Sequence, residues 1–235
     1  SGKVPGDETP PTLSVVSISS NNSSPTKAKV GDIITLNFTS NETIQTPVVT
    51  IAGHSVTSTD NGSNSWSAIY AMVETDTEST ISFAITPTDT SNNAGTQVSA
   101  TTDSSSVVFD KTAPSGLTYI VSESTISPND DGIKDDVSID VAFSEQVSAD
   151  INILDSLGNK VRDLYSSLSV TNPDPKVWDG KNNSTVVVPD GTYTIQVIGT
   201  DVAGNVLIDT EKTVVVDTSV LVSNIALLTA AKSTA

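Results

Sequence analysis

The chain has 235 residues, a length that suits one or two domains, and its 28 acidic against 11 basic side chains give a formal net charge of −17. A field of that sign repels phosphate backbones and anionic lipid, so nucleic acid is excluded as a partner, and no apolar run approaches the roughly 18 residues needed for direct membrane insertion. With no cysteine there is neither a disulfide framework nor a thiolate metal site, and with no signal-peptide pattern at the start an export signal is expected outside this segment.

Ser, Thr, Asn, Val and Asp crowd the chain, a mixture that favours strands because β-branched side chains lose χ1 freedom in helices. The first punctuation is Asp7-Glu8-Thr9-Pro10-Pro11, which recurs as Asp110-Lys111-Thr112-Ala113-Pro114 and, more weakly, as Asp217-Thr218-Ser219. The Asp residues lie 103 and 107 residues apart, the length of one β-sandwich domain, and Pro favours extended junctions. This divides the chain into a module at 1–110, a module at 111–219, and a segment at 220–235 that reads as a tail, a first strand of a further module, or a weak helix.

In the first module Ile34, Leu36 and Phe38 alternate with polar residues, as do Trp66, Ala68, Tyr70 and Met72, and then Ile81, Phe83 and Ile85. A period of two places each set on one face of a sheet. Asp60-Asn61-Gly62 is expected to turn a hairpin. The second module repeats the scheme with Val137, Ile139, Val141 and Phe143, with Ile151 and Ile153, and with Tyr193, Ile195 and Val197, while Thr185 to Val188 reads as a further strand. Each apolar sheet face needs a cover, so the fold class is all-β: two tandem immunoglobulin-like Greek-key β-sandwiches.

Catalytic constellations are missing from the sequence. His54 is the single histidine, which leaves neither a converging zinc site nor a base for a nucleophilic serine. Carboxylate pairs for glycoside hydrolysis arise by chance among 28 acids. Trp66 and Trp178 read as core residues, with a sugar-stacking platform as the alternative. Asn22, Asn37, Asn41, Asn61 and Asn183 head Asn-x-Ser/Thr strings, which this composition produces readily.

The segment Ser127-Pro128-Asn129-Asp130-Asp131-Gly132-Ile133-Lys134-Asp135 places oxygen-bearing side chains at alternate positions and Gly132 sixth, the spacing of a calcium loop of the EF-hand kind. Asn129, Asp131, the Ile133 carbonyl and Asp135 are the expected ligands of a structural Ca²⁺, Asp130 and Asp136 are alternatives, and Ser127 is the weakest candidate. Position twelve is Ser138 rather than Glu, and the competing reading is an Asx-rich turn bonded only to local backbone. A second cation is expected at the module junction, between Asp110 and an end-loop carboxylate such as Asp201.

Two resemblances add to this reading. "KVGDIITLNFTSNETI" (Lys29 to Ile44), Trp66, "ISFAI" (Ile81 to Ile85), "NNAG" (Asn92 to Gly95) and "VVFDKTAP" (Val107 to Pro114) resemble the bacterial Ig-like repeats of large surface proteins and adhesins. "ISPNDDGIKDDVSI" (Ile126 to Ile139), "ILDSLGNKVRDL" (Ile153 to Leu164), "VWDG" (Val177 to Gly180), "VPDGTY" (Val188 to Tyr193) and "DVAGN" (Asp201 to Asn205) resemble the Ig-like domain family named after the flagellar hook-capping protein, although Thr185 stands where that family usually has Gly. The resemblances imply a secreted or cell-surface bacterial protein. The function expected is a non-catalytic spacer or stalk, rigidified by calcium, whose partners are neighbouring domains and cell-surface or surface-layer components. The alternatives are an adhesive, carbohydrate- or protein-binding module and an accessory domain of a secreted hydrolase.

Overall fold

The computed structural model describes residues 6–219, and the reading for 220–235 lies outside the described residues. The described residues form two compact units, 6–112 with Val202–Asn205, and Ala113–Asp201 with 206–219. Every regular element among the described residues is a strand, giving an all-β architecture of several small sheets that resemble Ig-like modules.

The first unit contains β1 (Leu13–Ser20), β2 (Lys27–Ala28), β3 (Ile33–Ser40), β4 (Val48–Ile51), β5 (His54–Val56), β6 (Ser58–Gly62), β7 (Ser65–Ala71), β8 (Ser79–Thr80), β9 (Phe83–Thr86) and β10 (Val108–Phe109). They form sheets of order β1-β3-β7-β6, β5-β4-β9 and β2-β10-β8. Alternation does the sorting: Ile34, Leu36 and Phe38 of β3 are buried with Val16, Ile18, Trp66 and Ala68 from the neighbouring strands, and they share a core with Val49, Ile51, Phe83 and Ile85 of the second sheet. Pairing is antiparallel apart from β10, which runs parallel to β2.

The second unit contains β11 (Thr118–Val121), β12 (Thr125–Ile126), β13 (Val137–Ala142), β14 (Val147–Leu154), β15 (Lys160–Val170), β16 (Lys176–Trp178), β17 (Gly191–Thr200) and β18 (Val206–Val216). Sheets of order β11-β13-β16 and β12-β18-β17-β14-β15 contribute to one core. Val137, Ile139 and Val141 from the first meet Ile151, Ile153, Ile195 and Val197 from the second. Here too the last strand has one parallel neighbour, since β18 runs parallel to β12. Trp178 is fully buried, donates its indole N–H to the Lys181 carbonyl at 3.0 Å and meets the Tyr193 ring edge-on at 5.4 Å. Trp66 is also buried, so neither ring is presented as a sugar platform.

Two local expectations fail for physical reasons. Asp60-Asn61-Gly62 lies within β6 and forms a bulge there, because Asp60 Oδ1 accepts the Gly62 N–H and the ladder slips between these residues. The hairpin turns at Ser63 and Asn64, which both adopt positive φ. Thr185 to Val188 is not a strand: the Thr185 N–H bonds back to the Asn182 carbonyl, the Asn182 N–H reaches the Val186 carbonyl, and Thr185 sits at φ +62°. Only Val187 pairs, as an isolated bridge to Lys181.

Candidate functional site

The 127–135 loop connects β12 to β13 and is organised around Asp135. Its Oδ1 accepts the N–H groups of Asn129 at 3.1 Å and Asp130 at 2.9 Å, and its Oδ2 accepts that of Gly132 at 2.7 Å. Positive φ at Asp130 and Gly132 turns successive amides toward one carboxylate. The Gly132 amide, followed by those of Asn129 and Asp130, holds the Asp135 carboxyl below the ordinary carboxylate range. Asn129 Oδ1 accepts the Asp131 N–H at 3.1 Å, and Asp131 Oδ1 accepts the Ile133 N–H at 2.8 Å. Asn129, Asp131, Ile133 and Asp135 therefore share one turn, in which the three side chains bond to backbone. Asp130 lies 3.9 Å from the Lys181 ammonium, and Asp136 is exposed beside this turn. Ser127 is buried; its N–H donates to the Lys134 carbonyl, and its hydroxyl has no hydrogen-bond partner among the described residues.

The junction acids each take a place in their own unit. Asp110 follows β10, donates its N–H to the Ala28 carbonyl at 2.9 Å and accepts the Thr112 N–H at 3.1 Å. Asp201 follows β17 and is buried.

Sequence reading missed two polar clusters in the first unit. Asp7, Glu42 and Asp89 form a group of three carboxylates whose oxygens lie within 4.8 Å of one another. Burial, together with the charges of Asp7 and Asp89, raises the Glu42 pKa above its ordinary value. Burial pushes Asp89 the same way, but hydrogen bonds from the Asn93 side chain and from the amides of Asn93, Ser91 and Asn92 outweigh it and leave its pKa lowered. Asp89 followed by Ser91 and Asn93 is an Asx-turn pattern readable in the sequence; its meeting with Asp7 and Glu42 has no local signal. The second cluster surrounds His54, whose ring stacks on Tyr70 at 4.9 Å and whose Nε2 lies 2.9 Å from Asp76 Oδ1. Asp76 is 2% exposed in its side chain and also accepts the Tyr70 hydroxyl and the Val73 N–H. His54 itself is half exposed, and the three side chains tie β5 and β7 to the loop that carries Asp76.

The second unit also carries an open concavity of about 520 Å³ lined by Val161, Val186, Val187 and Tyr193 together with Asp155 and Asp190. Val186 and Val187 are exposed, as is Leu157 in the adjoining turn. Such an apolar surface with a few acids suits binding.

A family model described as the CHU_C Type IX secretion signal domain matches residues 120–203. This overturns the resemblance of the second module to the flagellar hook-capping Ig-like family. The quoted strings centre on turns, such as the Asn129–Asp135 turn and the Trp178–Gly180 corner, and turn chemistry is shared by Ig-like folds across families. For the first module, likeness to solved structures shows an Ig-like fold and no family. A bacterial ice-binding adhesin involved in host cell-surface retention is similar at 18% identity over 91% of this chain and 67% of its own, with a TM-score of 0.54. Latent PorU from Porphyromonas gingivalis is 13% identical over 89% of this chain with a TM-score of 0.34, and the chain spans 20% of its length. The fibronectin(III)-like modules of Clostridium thermocellum CbhA are 12% identical over 85% of this chain and 92% of their own, with a TM-score of 0.37. Among curated proteins none matches. The chain belongs to a secreted or cell-surface bacterial protein, and its role is non-catalytic.

Proposed function

We propose that the second unit is an export signal, read by a type IX secretion system, and that the first is an accessory or adhesive module of the same secreted polypeptide. The observation that carries this reading is the family match over residues 120–203. It favours the accessory alternative over the spacer expected from tandem modules alone. Each unit is read as a closed Ig-like β-sandwich, supported by sheets whose inward faces share one core. The partners are the export machinery and neighbouring domains, and the concavity edged by Val186 and Val187 supports a binding surface on the signal unit. The test joins the full chain to a periplasm-directed reporter in a bacterium that has a type IX system. The reporter is expected outside the cells with the full chain, and inside them when residues 113–219 are deleted or the secretion system is disabled. Equal export with and without residues 113–219 would sink the proposal.

A further inference from the structure

Asp110 and Asp217, the acids of the repeated junction motif, occupy the same place in their two units. Each follows the last strand, β10 or β18, at the point where that strand runs parallel to a short early strand. Each donates its N–H to the last carbonyl of that early strand, Asp110 to Ala28 at 2.9 Å and Asp217 to Ile126 at 3.0 Å. Each carboxylate then accepts the amide two residues on, that of Thr112 at 3.1 Å and that of Ser219 at 2.9 Å. On its other side the last strand has an antiparallel neighbour whose first residue faces its end: Ser79 of β8 pairs with Phe109, and Gly191 of β17 pairs with Val216.

The residue just before that neighbour is acidic in both units, and it reaches the outgoing chain. Glu78 Oε1 accepts the Lys111 N–H and the Thr112 hydroxyl, both at 2.7 Å. Asp190 Oδ1 accepts the Thr218 N–H at 3.1 Å and the Thr218 hydroxyl at 2.9 Å. In the first unit the Lys111 ammonium also donates to the carbonyls of Glu74 and Asp76. The Thr112 hydroxyl, with the Lys111 amide, holds the Glu78 carboxyl below its ordinary range.

We propose that Glu78 and Asp190 are latches that fasten the first residues of each outgoing junction to the unit those residues leave. One such contact in a chain this acidic could be incidental, but the two stand at the same register position of two units with different sequences. Hydrogen bonds to a carboxylate are stronger than neutral ones, and here each carboxylate takes a main-chain donor and a hydroxyl together. The outgoing chain thus stays fastened to its unit through three residues beyond the last strand, as far as Thr112 in the first unit and Ser219 in the second. A motif of Asp followed by Thr or Ser thus records where a unit ends, while the acid that completes it comes from a distant loop.

The test is residue-resolved amide hydrogen exchange by NMR on the full chain. Glu78→Ala is expected to speed exchange of the Lys111 amide at least about tenfold, as local opening does, while the amides of Ile34 and Leu36 in β3 keep their rates. Glu78→Gln, which retains an acceptor oxygen, is expected to recover part of the protection, and Asp190→Ala should release Thr218 alone. Should Glu78→Ala fail to fold, Thr112→Val removes the hydroxyl with Glu78 intact and should increase exchange locally. The latch is overturned if the wild-type Lys111 and Thr218 amides already exchange at the rate of unstructured chain, or if the variants change them no more than they change β3.

Discussion

Thr185 carries the cost of a β-branched side chain at φ +62°. The turn from Asn182 to Val186 sets that angle, and the Thr185 hydroxyl recovers some of the cost through its bond to the Ser184 carbonyl at 2.6 Å. Thr185→Gly should stabilise the second unit by about 0.5 to 1 kcal/mol, because relief of roughly 1 to 2 kcal/mol of left-handed strain exceeds the added unfolded-state entropy. A lower urea midpoint would show that the hydroxyl bond outweighs the strain. At Asp135 the ordering of variants is informative: Asp135→Ala should lower the melting temperature more than Asp131→Ala, since the first removes an acceptor of three amides and the second an acceptor of one. Calcium at Asn129, Asp131, the Ile133 carbonyl and Asp135 stands as a proposal, supported by the buried, unpartnered Ser127 hydroxyl at the same turn. Ion binding must raise native stability as free Ca²⁺ rises, so the proposal expects titration heat and a rising melt between about 0.01 and 10 mM, lost in Asp131→Ala. A flat melt would leave the turn to Asp135 alone.

Strands were legible in the sequence where the information is local. Alternation alone places Ile34, Leu36 and Phe38 in β3, Val137, Ile139 and Val141 in β13, and Tyr193, Ile195 and Val197 in β17, and all of them are buried. Turn position was less legible, because Gly62 can serve either a hairpin corner or a bulge and the choice depends on the register of β6 against β7. The short parallel pairs β2–β10 and β12–β18 could not be read at all, since each joins segments from opposite ends of a unit and two residues carry no periodicity. The same holds for Glu78 with Thr112 and for Asp190 with Thr218. Spacing at 127–135 offers a calcium loop or an Asx-rich turn, while the role of Asp135 as an acceptor of three amides depends on positive φ at Asp130 and Gly132, which spacing does not reveal. Family kinship was misread because corners such as Pro189-Asp190-Gly191 are set by chain reversal and do not distinguish one Ig-like lineage from another.

Across the whole molecule, two electrostatic effects of acid oppose one another. The net charge of −17 repels itself, so protonating carboxylates relieves the folded state. Against this, hydrogen bonds hold Glu78, Asp103, Asp135, Asp155, Asp163 and Asp217 below their ordinary pKa values. Each of these is more readily protonated in the unfolded chain. The stability it contributes is present above its unfolded pKa and is lost as pH falls through its folded one. Glu42 has the opposite sign, because its raised pKa makes the folded state bind a proton more readily, so its ionised form costs stability that acid returns. Diffuse repulsion is screened over about 8 Å at physiological salt, whereas a carboxylate bonded at contact distance is screened far less. The bonded carboxylates should therefore decide the outcome. The urea midpoint at 0.15 M salt should change little from about pH 7 to pH 5 and fall below about pH 4. Adding salt at neutral pH should raise the midpoint, because only the repulsive part is then removed. A midpoint that climbs steadily down to about pH 3 would mean that relief of net charge dominates, and that these turn and junction carboxylates contribute little to the fold.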